Sequence, residues 1–276
     1  MQLLRLSLVL ALTIGLGSVS LGHAQESSSD SLSGSNTAKL SGIDYSAALR
    51  ARSYPFGANL GITGGFARKH EWTPGSNWKF GYVRASASYE TSVVLNRLIA
   101  QIDVYPISIL GVSFGQSYGW RAFDNSAFDC TVFVCRGLLR RTYLEARSIL
   151  QAWRLTLVNS ARFEYLVPSD DSRPGAQFSD ESSVLPGASG GDHLFRYEGA
   201  LVYEIREHLH AGGLFTWSRM SGTDTTQDAE YAIVKWDNGP WSWVGGVGMF
   251  YSDRKPRALS FVLSLRWTGA NELGLF

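Results

Sequence analysis

Ala258–Trp267 reads ALSFVLSLRW. Successive residues of an extended chain point to opposite faces. Leu259, Phe261, Leu263, Leu265 and Trp267 therefore share one face, and Ser260, Val262, Ser264 and Arg266 share the other. An apolar face of this length, backed by a polar one, is the signature of a strand between two different environments. The same period recurs upstream. Phe195, Tyr197, Leu201, Tyr203 and Ile205 alternate with Arg196, Glu198, Ala200, Val202 and Glu204. Trp153, Leu155 and Leu157 alternate with Arg154, Thr156 and Val158, and Leu98, Ala100, Ile102 and Val104 with Arg97, Ile99, Gln101 and Asp103.

These runs are long. Strands of soluble sheets average about five or six residues, whereas a tilted strand needs about nine to eleven to cross a bilayer. The alternation predicts twelve strands, over 42–53, 58–69, 78–89, 96–105, 109–121, 137–149, 152–165, 194–206, 208–219, 228–236, 241–251 and 257–267. Trp78, Trp120, Trp153, Trp217, Trp241 and Trp267 fall at or near strand ends, where interfacial aromatic girdles place them. Short turns at 105–108 and 237–240 contrast with long polar interruptions at 122–136 and 166–193. An even strand count puts both long loops on the outer side and both termini on the periplasmic side. One motif resists this phasing. Tyr54-Pro55-Phe56-Gly57 resembles Tyr105-Pro106-Ile107-Ser108. If both are periplasmic turns, Lys69–Asn77 suits an outer loop, and ten or fourteen strands become the alternatives.

Composition agrees. Of 276 residues 45% are hydrophobic, but only 18% are charged, against about a quarter in an average domain. With 35 aromatics and 29 glycines, this is neither a disordered chain nor a coiled coil. Twenty-five basic residues against 24 acidic ones supply no basic footprint for nucleic acid. The N-terminus carries Arg5, an apolar Leu6–Gly17 and a small-residue exit ending Gly22-His23-Ala24, the pattern of a secretory signal peptide over 1–24. The run is too short for a spanning helix. A Ser-rich linker is expected over 25–41, and a single barrel domain over 42–276. Cys130 and Cys135 stand five apart in DCTVFVCR. An oxidising compartment makes a local disulfide the expected state, with free thiols as the alternative.

Together these residues resemble Gram-negative outer-membrane β-barrel proteins, from about residue 42 to the end. The resemblance implies an all-β fold, a transmembrane antiparallel up-and-down barrel. It implies residence in the bacterial outer membrane after export, contact with its lipid, and insertion by the barrel-assembly machinery. Such chains often end in an alternating strand with a terminal aromatic. Phe276 is out of phase with Trp267 unless a bulge near Gly269 resets the count, so either the last strand is long and bulged or the tail hangs in the periplasm.

Alternation assigns twelve basic residues to the lumen: Arg50, Arg52, Arg84, Arg97, Arg121, Arg141, Arg147, Arg154, Arg162, Arg196, Lys235 and Arg266. It assigns six acids: Asp44, Asp103, Glu145, Glu164, Glu198 and Glu204. Further acids, among them Asp124, Asp129, Asp170, Asp171, Asp180, Glu181 and Asp224, fall in the outer loops. The expectation is a passive channel whose basic track, Arg147, Arg154, Arg162, Arg196 and Arg266, favours anionic small solutes. A turn at 150–151 would set Arg147 beside Arg154. The alternative is a structural barrel stiffened by Arg–Glu networks.

Catalysis has a weaker footing. A membrane-embedded hydrolase of lipid or polypeptide needs a base beside its nucleophile. The mature histidines, His70, His193, His208 and His210, match no such motif. Asp192-His193 borders the long loop without an evident aspartate pair, and His208-x-His210 lacks a third metal ligand. No catalytic residue, metal or cofactor is assigned. A non-conducting adhesion or scaffold barrel acting through its loops is the remaining alternative.

Overall fold

The computed structural model describes residues 41–72, 80–92, 95–121, 133, 137–169, 177–180, 183–253 and 255–271. The expected signal peptide, Cys130, Cys135, Trp78 and Phe276 lie outside them, as does the expected linker apart from Ser41. The strands are β1 Ser41–Ser53, β2 Phe56–Glu71, β3 Phe80–Thr91, β4 Leu95–Ile107, β5 Leu110–Arg121, β6 Gly137–Ala152 and β7 Leu155–Pro168. A two-residue hairpin, β8 Phe178–Ser179 with β9 Pro186–Gly187, interrupts the series. Then come β10 Asp192–Arg206, β11 Leu209–Met220, β12 Thr225–Asn238, β13 Trp241–Ser252 and β14 Lys255–Asn271.

The twelve long strands form one closed antiparallel barrel in which each pairs with its sequence neighbours and β1 pairs with β14. The count of twelve stands, and ten and fourteen are excluded. Closure leaves no edge strand unpaired, which is what a sheet in lipid requires. Both long interruptions leave the same end of the barrel, opposite the termini. The two Tyr-Pro motifs do not share an end. Tyr54-Pro55 is a tight turn at the loop end, while Tyr105-Pro106 belongs to the terminal-end part of β4. The register shifts there between Val104 and Ile107, because a proline without an N–H fits a bulge better than a ladder. The β2–β3 connection therefore leaves at the terminal end, and Lys69–Asn77 is no outer loop.

The outward face is apolar. Leu60, Ile62, Phe66, Leu98, Ile102, Phe114, Leu144, Leu259, Phe261 and Leu263 are all exposed. Aromatics bracket this band. Tyr45, Trp153, Tyr203, Trp236, Trp241 and Trp243 lie toward the terminal end, and Phe56, Tyr89, Trp120, Phe163, Tyr165 and Tyr251 toward the loop end.

The last strand holds a bulge at Gly269. Tyr45 pairs with Ala270 and Ser46 with Thr268, so Gly269 has no partner on β1. The Tyr45 ring packs over Gly269 and lies 5.8 Å from the Trp267 ring. Any side chain at 269 would enter that ring. Gly269→Val is expected to weaken the closing seam by about 1–3 kcal/mol, the usual cost of overpacking. The unfolding midpoint in detergent micelles, read by tryptophan fluorescence, checks it.

Candidate functional site

The inward face divides into two halves. Along β7 and β10–β14, Val158, Ala200, Val202, Leu214, Ala229, Tyr231, Ile233, Phe250 and Val262 form one buried cluster inside the barrel. These side chains fill their half as a packed core, as small barrels do. The other half is polar. With an apolar exterior, a charged interior and complete closure, the solvent relations of a soluble protein are inverted. This is the surface pattern of a transmembrane antiparallel β-barrel.

A cavity of about 240 Å³ lies inside the barrel beside that cluster, lined from β1–β7 and also from β10–β12 and β14. Among the described residues nine arginines line it (Arg50, Arg52, Arg84, Arg97, Arg141, Arg147, Arg162, Arg196 and Arg266), with three glutamates, Glu90, Glu164 and Glu198. Ser46, Thr63, Ser86, Ser88 and Gln101 add neutral donors. Most of these residues sit on alternate positions of strands whose other face meets lipid, so the fold itself aims them inward.

The arginines are held by carboxylates, several of which stand behind them. Arg84 donates to Asp44 through Nε at 2.8 Å and Nη2 at 2.5 Å, and its Nη1 lies 3.2 Å from Asp103. Asp103 is braced by Gln101 and Ser113, each at 2.5 Å. Glu145 receives Arg147 Nε at 2.6 Å, Arg162 Nε at 2.9 Å and Ser160 Oγ at 2.7 Å. Arg162 also stacks 4.4 Å above the Tyr143 ring. Glu90 is shared by Arg50 at 3.3 Å and Arg97 at 3.4 Å. For Arg266 no carboxylate lies within ion-pair distance among the described residues.

The long loop supplies the remaining counter-charge. Asp180 is fully buried, with Arg141 Nη1 2.5 Å and Arg196 Nη2 3.3 Å from its oxygens. Ser183 donates to it through N at 2.7 Å and Oγ at 2.6 Å. Burial alone would push this carboxyl up, but the two guanidinia and the Ser183 donors overcome it and hold it well below the ordinary carboxylate range. Arg121 donates to the Ser179 carbonyl. Phe178 and Leu185 are buried in an apolar cluster with Leu139, Leu166, Leu194 and Met220. The loop thus folds into the barrel mouth, and Asp180 is no outer-loop acid. Asp224 is one: it lies in an exposed turn and pairs with Arg219 at 2.7 Å.

Of the proposed track, Arg147, Arg162, Arg196 and Arg266 line one cavity. Arg154 does not join them. β6 runs on to Ala152, so the turn falls at 153–154 rather than 150–151, and Arg147 stands opposite Ser160. Arg154 is exposed, its guanidinium 6.0 Å from the Trp153 ring centroid. Glu90, Asp180, Asp192 and Asp237 face inward although alternation did not place them there. Glu90 and Asp237 sit just beyond the predicted strand ends, while Asp180 and Asp192 fall in the span read as loop. Glu90 could have been found by extending the period of 82, 84, 86 and 88 one step further. The interior as a whole is therefore close to neutral, and the positive excess is local to the cavity wall.

Asp192 and His193 point to opposite faces of β10. Asp192 is buried and accepts from the backbone N–H groups of Ala188, His193 and Gly222. His193 lies outside, against the Phe163 and Tyr165 rings. His208 is half out in a turn, and His210 lies inside, 3.8 Å from Asp237.

No protein-family model and no curated protein matches the chain. Solved structures with similarity include the β domain of the Bordetella autotransporter BrkA, at 12% identity and a TM-score of 0.42, covering 83% of this chain and 99% of that one. The KdgM porin is 10% identical at a TM-score of 0.41, over 81% of this chain and 98% of its own. The outer-membrane expressed OmpT of Vibrio cholerae is 8% identical at 0.43, over 83% and 98%. At these values no argument about function passes from them to this barrel.

Proposed function

We propose that the chain is exported to the bacterial outer membrane, where it forms a narrow, passive pathway that favours small anionic solutes. One observation carries this reading: the cavity wall presents nine arginines and three glutamates. Adding the four carboxylates behind the wall, Asp44, Asp103, Glu145 and Asp180, still leaves two arginines in excess among the described residues. A low-dielectric wall around such an excess concentrates anions and repels cations. The packed apolar half narrows the bore, which suits small solutes. The apolar exterior supports contact with outer-membrane lipid, and the closed barrel supports insertion by the barrel-assembly machinery.

The test is the reversal potential of single barrels in planar bilayers under a potassium chloride gradient. Anion preference is expected. Arg266→Gln should reduce it without orphaning a carboxylate. A unit charge at about 4 Å in water is worth about 1 kcal/mol, so the permeability ratio should fall by up to about fivefold. Arg154→Gln, altered in an exposed turn, should leave the ratio unchanged. Barrels that insert but carry no current, or carry one without anion preference, would overturn the reading.

A further inference from the structure

We propose that the mouth of the cavity contains a carboxylate-binding site, formed by Arg141, Arg196 and Ser183, which the chain itself fills with Asp180. The proposal rests on the anion-favouring reading only for how a ligand reaches the site. Its first support is the division of labour between elements. The cations belong to β6 and β10, fixed in the wall by continuous ladders on either side of β7. The anion comes from the loop, 39 residues from Arg141 and 16 from Arg196 along the chain. Charge that the barrel wall lacks is thus supplied by a separate part.

The second support is what remains when Asp180 is set aside. Among the described residues Arg196 would keep Glu164, at 3.6 Å, and Glu164 also lies 3.4 Å from Arg141. Glu164 Oε1 is buried without a hydrogen bond, and so is Arg196 Nε. The network is therefore loose around Glu164 and short of acceptors at Arg196. A planar carboxylate is the ligand class that two guanidinium forks recognise. Asp180 shows the geometry such a ligand would adopt, one oxygen toward Arg141 and the other toward Arg196 and Ser183.

The third support is access. Arg141, Arg196 and Ser183 all line the cavity that continues toward Arg147 and Arg162. A carboxylate moving along it reaches the guanidinia that hold Asp180, so solute and loop compete for the same donors. The loop's apolar anchor through Phe178 and Leu185 does not depend on that carboxylate.

Removal of the internal ligand tests this. Asp180→Gly should lower the denaturant midpoint of the barrel in micelles. Sodium formate should restore most of the loss saturably, and sodium chloride at equal ionic strength should not. Arg196→Gln in the Asp180→Gly background should abolish the formate effect. If Asp180→Gly folds poorly, refolded yield is read instead, recovered by formate and not by chloride. Equal effects of formate and chloride would overturn the carboxylate class, and no effect of either would overturn the site. No current is needed, so a barrel that fails the conductance test can still pass or fail this one.

Discussion

Glu145→Ala is expected to cost about 3 kcal/mol or more of barrel stability, the penalty for stripping buried charges of their partner. Glu145 is buried and holds two arginines, each by two N–H groups, with Ser160 donating as well. Among the described residues Arg147 has no other carboxylate within ion-pair distance, and Arg162 would keep Glu164 at 3.9 Å. Both guanidinium groups are partly wetted by the cavity, which puts the loss at the lower end of the range for buried pairs. Glu145→Gln retains an acceptor and should cost less. Denaturant unfolding in micelles checks the order Ala worse than Gln. Equal midpoints for wild type and Glu145→Ala would show that water in the cavity replaces the carboxylate.

Phe250→Ala is expected to cost about 3–5 kcal/mol, as for other buried aromatic truncations. Phe250 points into the barrel and is fully buried among Ala229, Tyr231 and Val262. Its ring also seats Arg52 at 5.0 Å and meets the Tyr54 ring edge at 6.0 Å. Truncation leaves a void beside the cavity and frees Arg52 to move. Stability should fall while single-barrel conductance rises. By contrast, Phe261→Ala removes a ring from the lipid-facing side, where acyl chains fill the space, and should cost far less. Similar losses at both positions would mean that the apolar half of the interior is not packed.

Strand number and facing were legible because one residue step turns a side chain to the other side of the sheet. The signal was strongest where lipid imposed it. ALSFVLSLRW follows the alternation without a break, and the bulge needed near Gly269 lies where the register shifts. Strand ends were less legible. There water meets both faces and the period fades, so Glu90 and Asp237 fell outside the predicted segments. The displaced turn after β6 likewise moved Arg154 from the expected lumen to the rim.

The apolar half of the interior was only partly visible. Ala200 and Val202 break the polar face of β10, and Val262 breaks that of β14. That these residues meet across strands from β7 to β14 follows only from closure of the sheet.

The chain's alternation decides on its own that this protein is a barrel in lipid, because pairing every backbone group in a bilayer leaves no other use for two-faced strands. It also decides which arginines face inward along the strands. Which carboxylate meets which arginine was decided only in three dimensions. Asp180 reads as a solvated loop acid, and its burial between Arg141 and Arg196 arises because Phe178 and Leu185 draw the loop into the mouth. Periodicity reports the environment on each side of a strand. Contacts between a loop and a wall depend on how the chain returns, and no local period records that.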